Sequence, residues 1–322
     1  MTTNTGQPLD GPERWAAGVE SPAASVVVPT RGRPRMLAEA VQSILDQRYD
    51  GLIECLVVFD QQEVVPPPIW VPPNRRLRLL QNTRVPGAAG ARNTGLEQAR
   101  GRLVAFCDDD DRWQRDKLSR QWQMLQAVDH ALLVTCGITV HSPEGQVVRL
   151  PAADVYTLDD VVASRNAVIH PSTFLAWREA VLERVGLFDE AIPGSYGEDY
   201  DWLIRVAAQA PVAAVKESLV DVRWGGSSWF AERWELITEA LAYLLAHRPE
   251  LQRNRANLAR MHGQVAFAHA ALGQRSRALR WARSSFRYDW RQPRSYLALL
   301  VASGILDSAA VIRALRRRGR GI

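Results

Sequence analysis

Four consecutive carboxylates, Asp108-Asp109-Asp110-Asp111, follow directly on the apolar run Leu103-Val104-Ala105-Phe106-Cys107. Adjacent like charges repel and are costly to desolvate, so this placement favours a compensating cation. Alternate side chains of an extended segment share a side, which predicts Asp108 and Asp110 facing one way and Asp109 the other. Two such oxygen ligands beside a diphosphate suit Mg²⁺ or Mn²⁺. The plainer alternative is a solvated turn in which Asp111 caps the next helix. A second acidic group, Glu198-Asp199-Tyr200-Asp201-Trp202, opens a stretch whose apolar face is Trp202, Leu203 and Val206. A carboxylate there can take the proton of an attacking hydroxyl. Equally, Glu198 and Asp199 can serve as the acidic first turn of a helix.

Other reactive groups sit where apolar runs stop. Val26-Val27-Val28 ends at Pro29-Thr30-Arg31, and Cys55-Leu56-Val57-Val58-Phe59 ends at Asp60. In Gly90-Ala91-Arg92-Asn93-Thr94-Gly95 a guanidinium and an amide lie between glycines that permit close approach to a ligand or a sheet. A salt bridge from Arg92 to a strand-end aspartate is an equal reading. His170-Pro171-Ser172-Thr173 offers an imidazole for ligand contact or for packing. Trp224-Gly225-Gly226-Ser227 joins an indole to a pliant backbone, which suits a loop covering a sugar face. Trp229 and Trp234 read better as packing residues.

The elements that must position these groups alternate. The pattern predicts strands at residues 25–28, 55–59, 77–80 and 103–107. Between them it predicts a helix opening at Pro34, with Leu37, Val41, Ile44 and Leu45 on one face, and helices at 88–99 and 114–128. Wholly apolar strands between helices imply an α/β fold with a Rossmann-like, mostly parallel central sheet covered on both faces. Ligands of such sheets bind beyond the carboxyl ends of the strands, where Thr30, Asp60 and Asp108 fall. Further on, strands are expected at 132–140 and 173–176, and helices at 179–184 and 201–208. Two short strands broken near Glu217 are expected within 212–222, and the chain turns helical from Trp229.

The ordered segments resemble the inverting nucleotide-sugar glycosyltransferases of family 2, which have the GT-A fold. Val26-Val27-Val28-Pro29-Thr30-Arg31 is similar to that family's opening strand and nucleotide loop, and Gly90 to Gly95 to its G-x-ARN-x-G segment. Asp108-Asp109-Asp110-Asp111-Arg112-Trp113 with Lys117-Leu118 resembles D-x-D-D-x-W…KL. Gly186-Leu187-Phe188-Asp189-Glu190 and Glu198-Asp199-Tyr200-Asp201-Trp202 resemble G-x-F-D-E and E-D-x-D-W. The resemblance spans about residues 25–227. It implies that Asp108 and Asp110 engage the donor ribose and the metal-bound diphosphate, with Asp110 the direct ligand and Asp109 at the variable position of the donor site. It implies Asp199 as general base, with Glu198 orienting the acceptor or a nearby loop. Pro29, Thr30 and Arg31 would line the nucleotide pocket, and Arg92 and Asn93 would lie near the diphosphate or beneath the nucleoside. His170 and Trp224 would lie on the acceptor side or in a closing loop.

One departure is visible. The family's second strand usually ends V-V-D-D-G-S, whereas here Phe59 precedes Asp60. A UDP-sugar remains the leading donor, with guanosine and deoxythymidine donors open. The acceptor is expected to be a hydroxyl of a glycan, a lipid-linked sugar or a small metabolite. The rival reading is a noncatalytic nucleotide-sugar or carbohydrate-binding protein on the same fold, which the intact Asp108, Asp110 and Asp199 argue against.

A chain of 322 residues can bury a full core, and 47% hydrophobic with 23% charged residues excludes disordered, collagen-like and multi-span membrane classes. The net charge of +5 is uneven, because residues 275–320 hold 12 arginines and two aspartates. Such a basic helical end, with Trp281 and Phe286 as apolar anchors, suits peripheral contact with an anionic membrane or a solvated helical cap. No nucleic-acid reader motif occurs, so no specific nucleic acid is expected. Cys55, Cys107 and Cys136 have no ligand spacing, and the polar start lacks an export signal. The expected compartment is the cytoplasm, with the inner membrane face as a docking option. The expected organisation is an N-terminal segment at 1–24, a catalytic domain at 25–227 and a basic helical region at 228–322.

Overall fold

In the first part of the chain β1 (Ala24–Thr30), α1 (Pro34–Leu45), β2 (Ile53–Phe59), β3 (Arg75–Gln81), α2 (Ala88–Gln98), β4 (Leu103–Phe106), β5 (Arg112–Trp113) and α3 (Lys117–Ala127) follow one another. Next come β6 (Leu133–Ser142), β7 (Gly145–Arg149), β8 (Val155–Tyr156), α4 (Leu158–Ala163), β9 (Leu175–Trp177), α5 (Arg178–Arg184), α6 (Glu198–Gln209) and β10 (Val212–Arg223). Five helices close the chain: α7 (Trp234–His247), α8 (Arg255–Ala271), α9 (Arg275–Tyr288), α10 (Pro293–Ala302) and α11 (Ser308–Arg316). The computed structural model describes residues 21–143, 145–163, 170–224 and 233–316. Gly225, Gly226, Ser227 and Trp229, the segment 1–20, the end 317–322 and the expected boundary at 227/228 lie outside the described residues.

The strands form one mixed sheet in the order β3-β2-β1-β4-β9-β6-β10-β5, with β7 beside β6 and β8 beside β10. β3, β2, β1 and β4 run parallel, with Val27 opposite both Leu56 and Phe106. β9 is then inserted antiparallel between β4 and β6, and β6 and β10 run parallel. β1 and β2 are buried on both faces, which accounts for their unbroken runs of apolar residues. One face packs on Leu37, Val41 and Ile44 of α1 and Leu118 of α3. The other packs on Phe188 and Trp202, whose rings stack at 4.9 Å. Ile237 and Leu244 of α7 and Met261 and Val265 of α8 join this second core.

β5, β7, β8 and α4 have no counterpart in the sequence expectation, and β10 and α3 depart from it. β10 is one strand, not two. Its register against β6 shifts between Val215 and Ser218, so the polar pair Lys216-Glu217 forms a bulge instead of a break. Helix α3 starts at Lys117, after Asp116, rather than at residue 114. β5, just before it, pairs antiparallel with β10 through Trp113 and Val220. α2 is a helix despite its two glycines, because a Cβ at Gly95 would collide with Val27 of β1 and one at Gly90 with the Val85 carbonyl. Close packing on the sheet outweighs weak local propensity there.

In the last helices, Ala278, Ala282 and Ser285 of α9 and Ala298 of α10 are buried. Ser285 donates to the Ala259 carbonyl at 2.6 Å and accepts from Ser295 at 2.7 Å, tying α8, α9 and α10 together. The three cysteines are buried and unpaired with one another. No helix among the described residues is long and apolar enough to cross a membrane.

Candidate active site

β4 is prolonged beside β1 by the Cys107 amide, which donates to the Val27 carbonyl at 3.0 Å. The chain then turns, because the Asp111 amide donates to the Asp108 carbonyl at 3.1 Å. The turn removes the alternating placement expected of an extended run. Asp109 and Asp110 both engage one guanidinium: Arg33 Nη1 lies 3.0 Å from Asp109 Oδ1 and 2.6 Å from Asp110 Oδ2. Asp109 also accepts from Thr30 Oγ1 at 2.7 Å and from the Arg31 amide at 3.3 Å. Asp108 accepts from Arg92 Nη2 at 2.6 Å. Asp111 caps no helix. It is buried and accepts from Ser172 Oγ at 2.5 Å, with His170 Nδ1 3.4 Å away.

Two helices complete the cluster. Arg92, on α2, is buried and bridges Asp108 to Glu198 in the first turn of α6. Asp199, half-buried, accepts from the Tyr200 amide at 2.8 Å. Gly197 precedes them at φ +87°, a left-handed turn that favours glycine and lets α6 start against α2. Asn93 fixes the loop before α6. Its amide donates to the Phe188 carbonyl at 2.9 Å and to Glu190 at 2.6 Å, and it accepts from the Phe188 amide at 2.8 Å. Glu190 is also held by Arg84.

Crowding splits the carboxyls. Burial opposes ionisation of Asp108, but Arg92 and the charges around it outweigh burial and hold its carboxyl below the usual range. Burial pushes Asp110 up to about 6, and Asp108 adds to the push. Burial, with the charges of Asp108 and Asp110, drives Asp111 well above the carboxylate range. Burial also lifts Glu198 to about 7. Arg92 pulls it down, and Asp199 and Asp108 push it up. The cluster therefore carries more carboxyl than its guanidiniums neutralise.

A divalent cation fits that deficit. Asp108, Asp111 and His170 each offer one ligand atom, all within 4.8 Å of one another. Two carboxylate oxygens and an imidazole nitrogen suit Mn²⁺ or Mg²⁺. Asp110, half of the pair expected from sequence, lies on Arg33 outside this group. The Nε of Arg92 is buried without a hydrogen-bond partner.

The other expected residues fall around this centre. Asp60, at the end of β2, accepts from Asn82 at 2.8 Å and from the Gly87 amide at 3.1 Å, with Arg31 3.9 Å away. Pro29 is half-buried in β1 and Phe59 is a core residue. Trp224 packs beneath Arg149, whose guanidinium carbon is 4.4 Å from the ring centroid. Trp234 meets Phe267 edge-on in the helical core. Sequence reasoning missed Arg33 and Ser172. The signal for Arg33 was its place in the β1 loop, two residues after Arg31 and next to the helix-opening Pro34.

Residues 25–186 match the family model described as glycosyl transferase family 2. The chain belongs to this family. It is 31% identical over 210 residues to an Escherichia coli protein described as UDP-Glc:alpha-D-GlcNAc-diphosphoundecaprenol beta-1,3-glucosyltransferase WfaP, covering 61% of this chain and 74% of WfaP. Of three further curated relatives the chain spans 63%, 40% and 59% of the length. Among solved structures, this family 2 chain is similar to Staphylococcus aureus TarS 1–349 in complex with UDP, with TM-score 0.59, 15% identity and 92% of each chain covered. It is also similar to the mannosyltransferase PcManGT of Pyrobaculum calidifontis in complex with GDP-Man and Mn²⁺, with TM-score 0.54, 20% identity and 89% and 86% covered. At these identities the two structures establish the shared GT-A-like fold.

Proposed function

We propose that the chain transfers a sugar from a nucleoside-diphosphate donor to a hydroxyl acceptor with inversion, using Asp199 as general base. One observation supports the reading: buried Arg92 joins Asp108 of the acidic turn to Glu198, the neighbour of Asp199 in the first turn of α6. Asp199 takes the acceptor proton as the acceptor oxygen bonds to the anomeric carbon. The bond from that carbon to the diphosphate oxygen breaks, and its electron pair leaves with the nucleoside diphosphate. Arg92 and Glu198 fix the turn and the first turn of α6 relative to each other. Pro29, Thr30, Arg31 and Asp60 form the nucleotide side, and Asn93 holds the adjoining loop.

Asp108, Asp111 and His170 would hold Mg²⁺ or Mn²⁺, with Asp110 alongside. When bound, the ion screens the donor phosphates and stabilises charge on the leaving diphosphate. A UDP-sugar is the leading donor, which agrees with the donor named for WfaP. The lipid-linked acceptor named for that relative makes a lipid-linked sugar the first acceptor to test. The catalytic unit is taken as residues 25–227, followed by the basic helical region.

The test is a screen of UDP-, GDP- and dTDP-sugars with Mn²⁺ or Mg²⁺, following nucleoside-diphosphate release and acceptor glycosylation. Asp199→Asn is expected to lower transfer by about 10³-fold while donor binding stays close to the parent value. Transfer at the parent rate would remove Asp199 as base. Titration with Mn²⁺ by electron paramagnetic resonance separates the two ligand sets. Asp111→Asn should weaken the ion by at least about tenfold, and more than Asp110→Asn does. The reverse order would assign the ion to Asp108 and Asp110.

A further inference from the structure

The closing helices carry a surface that the proposed reaction does not use. α9 buries Ala278, Ala282 and Ser285 and leaves Arg280, Arg283 and Arg287 exposed. Their spacing of three and four residues aligns them along one outward face. No acidic residue occurs between Glu250 and Asp289, and α10 has none, so these arginines have no carboxylate on α8, α9 or α10.

An apolar strip runs beside the arginines. A groove of about 520 Å³ between α9 and α10 has Leu279, Phe286 and Leu299 in its lining, together with Arg280 and Arg283. Tyr296 extends the strip: its ring lies 4.9 Å from Phe286, and its hydroxyl donates to the Trp290 carbonyl at 2.8 Å. The amides of Ile305 and Leu306 donate to the Leu300 carbonyl at 3.0 and 3.2 Å, which draws both residues back onto α10. Leu279 is 53% exposed, Trp290 64% and Ile305 70%, which is unusual for large apolar side chains on one small region.

We propose that this face of α9 and α10 docks on the surface of an anionic phospholipid bilayer. The arginines would meet lipid phosphates, and Leu279, Trp290, Tyr296 and Ile305 would enter the headgroup boundary. Charge selects this occupant. A second copy would press like-charged arginine rows together. A polynucleotide would satisfy the arginines but leave Leu279 and Ile305 in water. The surface is distinct from the acidic turn, so vesicle binding can be read without substrate and is independent of the proposed chemistry.

The full chain is sedimented with vesicles of phosphatidylglycerol mixed with phosphatidylcholine, and with phosphatidylcholine alone. Binding is expected only to the anionic vesicles and should weaken with salt. The combined Arg280→Glu, Arg283→Glu and Arg287→Glu variant should lose at least about tenfold in vesicle affinity. Leu279→Ser with Ile305→Ser should lose about fivefold at unchanged charge. Both variants should keep the parent's circular dichroism and its turnover of soluble substrates. Equal binding to both vesicle types, or parent affinity in both variants, overturns the proposal. So does polynucleotide binding that exceeds vesicle binding and is untouched by the serine changes, or self-association abolished by the glutamate changes.

Discussion

The carboxyl ends of β1 and β4 and the outer face of α9 hold charge in opposite ways. Around the strand ends, Asp109, Asp111 and Glu198 are buried and Asp108 and Asp110 half-buried, and each touches a guanidinium, a hydroxyl or an imidazole. On α9 the arginines are exposed and share their helix with no acid. The first arrangement is over-determined from within, through short bonds among side chains from five distant stretches of sequence. The second leaves its complement to something outside the chain. Both have a surplus of one sign, and the surplus indicates the ligand: a cation in the acidic turn, an anionic surface on the helix.

The sharpest way to break this contrast is to remove the internal counter-charge. Arg92→Met leaves buried Glu198 and half-buried Asp108 without their shared guanidinium, and should cost about 3–5 kcal/mol in urea unfolding. A loss below about 1 kcal/mol would mean that the pair is not the tie described, since exposed ion pairs are worth no more than that.

A smaller effect should appear with pH in cation-free protein. Asp110 rises from 3.8 to about 6 on folding, and Glu198 from 4.5 to about 7. At these two groups the native state holds more protons than the unfolded chain, so their contribution to stability falls as pH rises from about 4 to about 7, while His262 and His269, lowered by burial, act in the opposite sense through the imidazole range. Asp108 has the opposite sign, but its depressed carboxyl loses stability only as pH falls below the ordinary aspartate range. Melting temperature against pH with a chelator present should show the decline. Asp110→Asn should flatten it, and Mn²⁺ should offset it. A slope left unchanged by Asp110→Asn would contradict the crowding. The smallest effect belongs to the other region: Arg283→Gln should change the melting temperature by an amount equivalent to less than about 0.5 kcal/mol, because nothing internal depends on its charge.

Much of this centre was legible in the sequence. Apolar strands that stop at Thr30, Asp60 and Asp108 must bring those residues to one edge of a parallel sheet, whatever the helices do. What could not be read was local and three-dimensional. The turn at the acidic run depends on one amide, from Asp111 to Asp108, and without it Asp109 and Asp110 would not both face Arg33. The pairing of Asp111 with Ser172 joins residues 61 apart. α2 looked weak because its glycines lower helix propensity, yet those glycines are what let it lie on Val27. The polar pair Lys216-Glu217 reads as a strand end, and only the partner strand shows that the chain bulges and continues.

β4 lies near the middle of the sheet and β5 at its far end, yet only residues 107–111 separate them. One side of that span is anchored through Phe106 to Val27, and the other through Trp113 to Val220. The acidic stretch is thus a turned bridge between two paired strands, and its turn is closed by the Asp111 amide. An exchange of residues in place would alter its charge while sparing the turn, whereas an insertion or deletion would have to be absorbed between the Phe106 and Trp113 pairings.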